Sequence, residues 1–80
     1  MNDAEIVQQI DHLMDEEHRL ERDHGERELT EAERARLGQI EVQLDQCWDL
    51  LRQRRARRHA GKDPGEAQVR SGDVVEHYQQ

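Results

Sequence analysis

The sequence predicts an all-α fold: an antiparallel two-helix hairpin (αα-hairpin) that dimerises into a four-helix bundle and carries an irregular C-terminal tail. Three observations lead to this prediction. Two segments have apolar residues at helical spacing, and each segment follows a helix-capping motif. The two apolar stripes match when the segments are laid antiparallel. The 80 residues include no Phe and one Cys, so neither a large aromatic core nor an internal disulfide can stabilise a monomer.

Capping motifs and stop residues set the bounds of the two helices. Asn2 with Glu5, and Thr30 with Glu33, have the spacing of a capping box, in which two residues satisfy each other's backbone N–H groups. Gly61 is typical of the position just beyond a helix C-terminus. The predicted bounds are residues 1–61 for the hairpin, about 3–23 and 31–60 for its helices, 24–29 for the loop and 62–80 for the tail. The tail either contains a short helix near residues 72–79 or lies extended.

The apolar stripes of the two predicted helices match layer by layer. In an antiparallel hairpin, facing residues have position numbers with a nearly constant sum. Five pairs add up to 57: Ile6 with Leu51, Ile10 with Cys47, Leu13 with Leu44, Glu17 with Ile40, and Leu20 with Leu37. Glu17 breaks the apolar pattern. We expect its carboxylate to reach solvent or to pair with Arg34, Arg36 or a donor from a partner chain.

The apolar surface is broader than one hairpin needs, and this breadth predicts dimerisation. The residues that flank the seam between the helices are Val7, Met14, Trp48 and Leu50. An exposed apolar strip of this kind is rare on a stable monomer, so we assign these residues to a homodimer or partner interface. The alternative is that the tail folds back over the same strip with its apolar residues Val69, Val74, Val75 and Tyr78. Both arrangements can coexist.

Charge is unevenly distributed along this acidic chain, whose net charge is −7. Residues 1–49 carry 15 acidic side chains against 5 arginines, whereas residues 50–62 carry six basic side chains and no acidic one. The predicted basic contact patch is Arg54, Arg55, Arg57, Arg58 and Lys62. Such a helix end can bind phosphates, which supports a nucleic-acid-associated accessory protein as the alternative function. The helix dipole, an expected Asp3–Arg54 contact and the lack of base-stacking aromatics favour intramolecular pairing or a protein partner instead.

One spacing in the sequence is typical of a metal site. Glu21-x-x-His24 matches the ligand spacing of carboxylate-bridged di-metal bundles, and Glu17 lies one turn earlier, so a metal-binding helical bundle is a remote alternative. Cys47 is predicted to be a buried small hydrophobe, because the register places Ile10 rather than a histidine opposite it. The sequence contains no Ser/His/Asp arrangement, phosphate loop or cofactor fingerprint. We therefore expect neither catalysis nor a cofactor.

Residues 44–56 (LDQCWDLLRQRRA) resemble a family of small actinobacterial proteins that is catalogued only as a domain of unknown function. Three shorter segments are similar to the same family: residues 15–18 (DEEH), residues 61–64 (GKDP), and residues 74–76 (VVE) with Tyr78. The resemblance covers most of the chain and is most specific around Trp48. It implies a small helical cytoplasmic protein and implies no activity.

These patterns predict a non-catalytic structural or adaptor protein. We expect a dimeric helical hairpin that mediates protein–protein interaction with a further, unknown protein partner, and neither nucleic acid nor a membrane is an expected partner. No apolar run approaches the roughly 18 residues of a membrane span. The N-terminus has no apolar signal region, so the expected location is the cytoplasm.

Overall fold

The computed structural model describes residues 1–25 and 27–78, apart from the side chains of residues 77 and 78. Its elements in chain order are α1 (Asp3–Asp23), α2 (Glu31–His59), a 3-10 turn (Pro64–Glu66) and α3 (Gly72–Tyr78). The described part contains no strand, and α1 packs along α2. The predicted all-α hairpin is therefore confirmed. The tail contains both of the forms predicted for it, because an extended stretch precedes the short helix. Residue 79, where the predicted helix ends, lies outside the described residues.

Both long helices begin with the capping boxes that the sequence predicts. The Asn2 side chain accepts from the Glu5 N–H at 2.8 Å, and the Glu5 carboxylate accepts from the Asn2 N–H at 2.9 Å. Thr30 Oγ1 accepts from the Glu33 N–H at 3.1 Å, and Glu33 Oε1 accepts from the Thr30 N–H at 2.8 Å. Each box satisfies backbone N–H groups that have no partner inside the helix, which sets where the helix begins.

A left-handed glycine ends α2. Gly61 has φ +71°, and its N–H donates to the Arg58 carbonyl at 3.1 Å. The next N–H, that of Lys62, donates to the Arg57 carbonyl at 2.7 Å. These two bonds form a Schellman motif, which satisfies carbonyls of the last turn and directs the chain back along α2.

The seam between α1 and α2 forms the core. Its buried side chains are Ile6, Ile10, Leu13, Ile40, Cys47 and Leu50. Four half-buried residues pack against them: Leu20, Leu44, Leu51 and Ala67. Burial of one such aliphatic side chain contributes roughly 1.5–3 kcal/mol, so this row holds the two helices together. Arg54 Nε also donates to Asp3 Oδ1 at 2.5 Å, a contact that the predicted antiparallel register requires.

The glutamate on the apolar stripe does not pair with the arginines expected for it. Glu17 is half-buried, and Arg36 instead donates to both oxygens of Glu16, at 2.6 and 2.7 Å. Arg34 Nη2 donates to the Leu29 carbonyl at 3.1 Å. The predicted pairing of Glu17 with Arg34 or Arg36 is therefore wrong. The Arg36 side chain reaches across the seam to Glu16 rather than to Glu17, the next residue of α1. That Glu17 reaches solvent or a partner-chain donor stays a prediction.

The extended part of the tail lies along α2 and is held by hydrogen bonds from α2 side chains. Each bond goes to a backbone carbonyl of the tail: Gln46 to Arg70 (3.1 Å), Gln53 to Gln68 (2.8 Å) and Arg54 to Pro64 (3.1 Å). An extended segment without a strand partner has carbonyls that need donors. The amide and guanidinium groups of α2 supply them.

The short helix α3 packs closely against the same side of α2. Val75 is 1% exposed, which makes it one of the most deeply buried side chains of the chain. The backbone of Gly72 approaches α2 so closely that a Cβ atom at this position would lie 2.8 Å from Val42 Cγ1. The tail thus covers one row of α2, formed by Val42, Gln46, Asp49 and Gln53.

The hairpin and its tail form a flat slab. The Cα atoms extend over 51 × 25 × 15 Å, with a radius of gyration of 15.1 Å. A compact chain of this length has a radius of gyration of roughly 12 Å. Because the tail lies on one side only, the opposite side of the α1–α2 seam has no covering layer among the described residues.

Candidate interaction surface

The uncovered side of the seam carries the apolar flank of both helices. Successive residues advance by about 100° around a helix. Val7 and Met14 each follow a seam residue of α1 by one position, and Trp48 does the same on α2. In an antiparallel pair, the residue that follows a seam residue by one position points to the same side of the hairpin on both helices. We call this surface the open face; its members are the exposed Val7, Met14 and Trp48 and the half-buried Leu37, Leu44 and Leu51.

The open face and the tail lie on opposite sides of the hairpin. Val7, Met14 and Trp48 are 46%, 44% and 46% exposed although the tail is docked. The predicted alternative, in which Val69, Val74 and Val75 of the tail cover this strip, is therefore wrong; the side chain of Tyr78, which belongs to the same prediction, lies outside the described residues. Leu50 does not belong to the strip either, because it is 5% exposed and part of the core on the side of the tail. Its assignment to an intermolecular interface is corrected accordingly.

Three arginines of the predicted basic patch pair within the chain. Arg54 and Arg58 both contact Asp3, at 2.5 and 2.9 Å, and Arg57 lies 3.5 Å from Glu66. The guanidinium groups of Arg54 and then Arg58 lower the pKa of the Asp3 carboxyl. The acidic first turn of α1 is thus neutralised by the basic last turns of α2.

The remaining members of the patch, Arg55 and Lys62, are exposed and have no ion-pair partner within residues 1–25 and 27–78. They are the cations of the patch that a partner can contact without displacing an internal pair.

The predicted metal-ligand residues do not converge. His24 Nδ1 lies 2.5 Å from the Arg27 carbonyl, at the loop end of the hairpin. Arg27 in turn donates to both oxygens of Glu33, at 2.8 and 3.0 Å. These bonds, together with the Thr30 N–H, lower the pKa of Glu33 to about 2. Among the described residues, no three His, Cys, Asp or Glu side chains are grouped as ligands of one metal ion.

Cys47 lies in the core, as its position on the stripe predicts. Its side chain is 8% exposed, and burial raises the pKa of the thiol, so the nucleophilic thiolate is disfavoured. A cavity of about 150 Å³ adjoins it. The lining residues are Met1, Ile6, Gln9, Gln43, Gln46, Cys47, Leu50 and Val69. Small-molecule sites commonly enclose roughly 300–1,000 Å³, so this space is smaller than a typical ligand pocket.

A family model described as "Protein of unknown function (DUF2630)" matches residues 2–80. The chain belongs to this family. The resemblance seen around Trp48 is thereby confirmed. Two relatives are uncharacterised proteins of Mycobacterium tuberculosis (strain ATCC 25618 / H37Rv) and Mycobacterium bovis (strain ATCC BAA-935 / AF2122/97). This family member is 48% identical to each over 77 residues, which cover 95% of this chain and 88% of the relative. No solved structure matches the chain.

Asp49 is a structural residue whose role is not predicted from the sequence. It is 3% exposed, accepts from Gln53 Nε2 at 2.9 Å and lies 3.6 Å from Arg70 Nε. A buried carboxylate needs such partners. Gln46, Asp49 and Gln53 share one face of α2 at helical spacing, but this spacing alone does not indicate what covers the face. That face is the one on which the tail lies.

None of the helices in the described part of the chain combines the length and the apolar character that a bilayer span requires.

Proposed function

We propose that this chain is a non-catalytic structural or adaptor protein that acts as a dimer. Its open face pairs with the open face of a second copy, and the two hairpins form a four-helix bundle. The observation that supports this proposal is the exposure of Val7, Met14 and Trp48 on the side of the hairpin that the tail does not cover. Trp is enriched at interface positions that dominate binding energy, and Met adapts to irregular gaps.

The exposed area supports the same proposal. A compact monomer of 9.5 kDa exposes roughly 5,000 Å². This chain exposes 5917 Å², which is about 900 Å² more. A standard protein–protein interface buries about 800 Å² on each partner, so one such interface would remove the excess.

The ion pairs at the end of α2 affect which kind of further partner this end of the helix can bind. Asp3 pairs with both Arg54 and Arg58, which offsets one of their two positive charges and weakens their attraction for phosphate. Arg55 and Lys62 remain for an acidic protein surface, which favours the adaptor role over nucleic-acid binding. The cytoplasmic location expected from the sequence stays a prediction.

Light scattering at two protein concentrations and two salt concentrations tests the dimer. We expect a mass of twice 9.5 kDa. Trp48→Ala should raise the dissociation constant about 30-fold, which corresponds to the loss of about 2 kcal/mol typical of an interface hot spot. Val69→Ala is the matched control, because Val69 is 59% exposed but lies on the tail. A wild-type monomer at every concentration would overturn the proposed dimer.

A mobility shift with labelled DNA and RNA tests the competing function. We expect no shifted band at low salt. A band that disappears as salt rises, and that weakens in Arg55→Ala, would contradict the adaptor proposal, since phosphate binding depends steeply on salt.

A further inference from the structure

The dimer of the proposed function has two simple symmetric arrangements. A two-fold axis parallel to the helices places α1 of one chain over α2 of its partner, which we call the crossed arrangement. A two-fold axis perpendicular to the helices places α1 over α1 and α2 over α2, which we call the like-on-like arrangement. Both bring the open faces together, and both leave facing helices antiparallel.

We infer that the second copy adopts the crossed arrangement, with α1 of each chain against α2 of the other. This inference rests on the proposed dimer and adds the identity of the helices that face each other. Two independent observations support it: the charges of the two helices and the axial positions of residues on the open face.

The two helices carry opposite net charges. Helix α1 has 8 acidic side chains against 2 arginines, a balance of −6. Helix α2 has 5 acidic side chains against 7 arginines, a balance of +2. Only residues 34–54 of α2 lie level with α1, and they carry 3 acidic side chains against 4 arginines, a balance of +1. The like-on-like arrangement therefore faces −6 with −6, whereas the crossed arrangement faces −6 with +1 twice. Like charges across an interface disfavour association, so charge selects the crossed arrangement.

Residues along the edge of the open face are regularly spaced on both helices. On α1, the positions seven apart are Val7, Met14 and Glu21; on α2, they are Arg34, Glu41 and Trp48. With facing positions adding up to 57, Trp48 lies at the level of position 9 of α1 and Arg34 at the level of position 23.

Two of the three axial positions match across unlike helices, and the third brings the partner's Glu41 beside Met14. In the crossed arrangement, the partner's Trp48 comes beside Val7 and the partner's Arg34 comes beside Glu21, each offset by two residues, or about 3 Å. Within the described residues, the Glu21 side chain has no hydrogen-bond or ion-pair partner, and the Arg34 side chain donates only to the Leu29 carbonyl. In the like-on-like arrangement, superposing Val7 on the partner's Met14 leaves Glu21 beyond the end of the partner's α1.

Charge reversal gives the first test. Glu21→Arg and Arg34→Glu should each raise the dissociation constant roughly three- to tenfold, as expected for loss of two symmetric surface pairs. The double variant Glu21→Arg/Arg34→Glu should return to the wild-type value, since the reversed charges meet again. Arg19→Glu is the matched control, because Arg19 pairs with Asp15 on the outer surface of α1 and faces neither helix of the partner. Two single variants without effect would contradict the inference.

Disulfide trapping gives the second test, in chains that all carry Cys47→Ala. A Glu21→Cys chain mixed with a differently sized Arg34→Cys chain should form a mixed disulfide under mild oxidation. An Arg19→Cys chain mixed with the Arg34→Cys chain should not. Asp11 lies between Val7 and Met14, where two facing α1 helices would bring the same position of both chains together. A disulfide between two Met14→Cys chains, or between two Asp11→Cys chains, would instead indicate the like-on-like arrangement and overturn the inference. A wild-type chain that stays monomeric in light scattering would refute the dimer itself, so the two failures are distinguishable.

Discussion

Arg70 is the residue whose removal most directly tests how the tail is held. It belongs to the extended part of the tail, and its guanidinium lies 3.6 Å from a carboxylate oxygen of Asp49, whose side chain is 4% exposed. Arg70→Ala removes the only cation near this carboxylate and leaves Gln53 as its one hydrogen-bond donor among the described residues. We therefore expect the folded state to lose stability.

The size of the loss follows from burial. Breaking a fully buried ion pair by removing one partner costs roughly 3–5 kcal/mol, because the remaining charge is left in a poor environment. The Arg70 side chain is 42% exposed, so water can enter the vacated space and restore part of the solvation. The expected cost is about 2 kcal/mol, near the penalty for a buried polar group that lacks its partner. For a domain of this size, the melting temperature should fall by roughly 10 °C.

Urea unfolding at a fixed protein concentration, followed by circular dichroism, measures this cost. Arg55→Ala is the matched control, because Arg55 is an exposed arginine of α2 without an ion-pair partner in the described part of the chain. This control should change the free energy of unfolding by less than about 0.5 kcal/mol. The double variant Asp49→Leu/Arg70→Ala should recover most of the loss, because a buried apolar side chain replaces the unpaired carboxylate. If Arg70→Ala behaves like Arg55→Ala, the buried pair does not stabilise the tail.

Three further variants probe other contacts. In Arg27→Gln, the pKa of Glu33 should rise from about 2 toward its ordinary value, which a carbon NMR titration measures. In the wild type, the stability that this ion pair contributes is present at neutral pH and is lost as pH falls through about 2. Asp45, then burial and the charge of Glu41 raise the pKa of Glu76, so the wild-type tail docks best below that pKa. Glu76→Gln should therefore increase the amide protection of α3 at pH 7 and make this protection less dependent on pH. Gly61→Ala should cost about 1–2 kcal/mol in urea unfolding, since φ is +71° there.

The parts of the fold that were predicted from the sequence depend on short-range patterns. Capping boxes involve residues three positions apart, and the seam repeats every three or four residues, so both can be recognised without a structure. The site of tail docking could not be predicted in this way. Gln46 and Gln53 look like ordinary surface residues until an extended segment brings carbonyls to them. The close contact of Gly72 with Val42 joins residues 30 positions apart, and nothing local in the sequence indicates it.

The two sides of the hairpin have different chemistry because each suits a different kind of backbone. The side covered by the tail faces an extended backbone whose carbonyls need donors, and α2 there presents Gln46, Gln53 and Arg54. A helix satisfies its own backbone, so a surface that receives another helix needs shape and apolar contact rather than donors. The open face, with Met14 and Trp48 at its edges, has this second character. Its chemistry therefore suits helices, and the hairpin of a second copy offers two with matching apolar flanks.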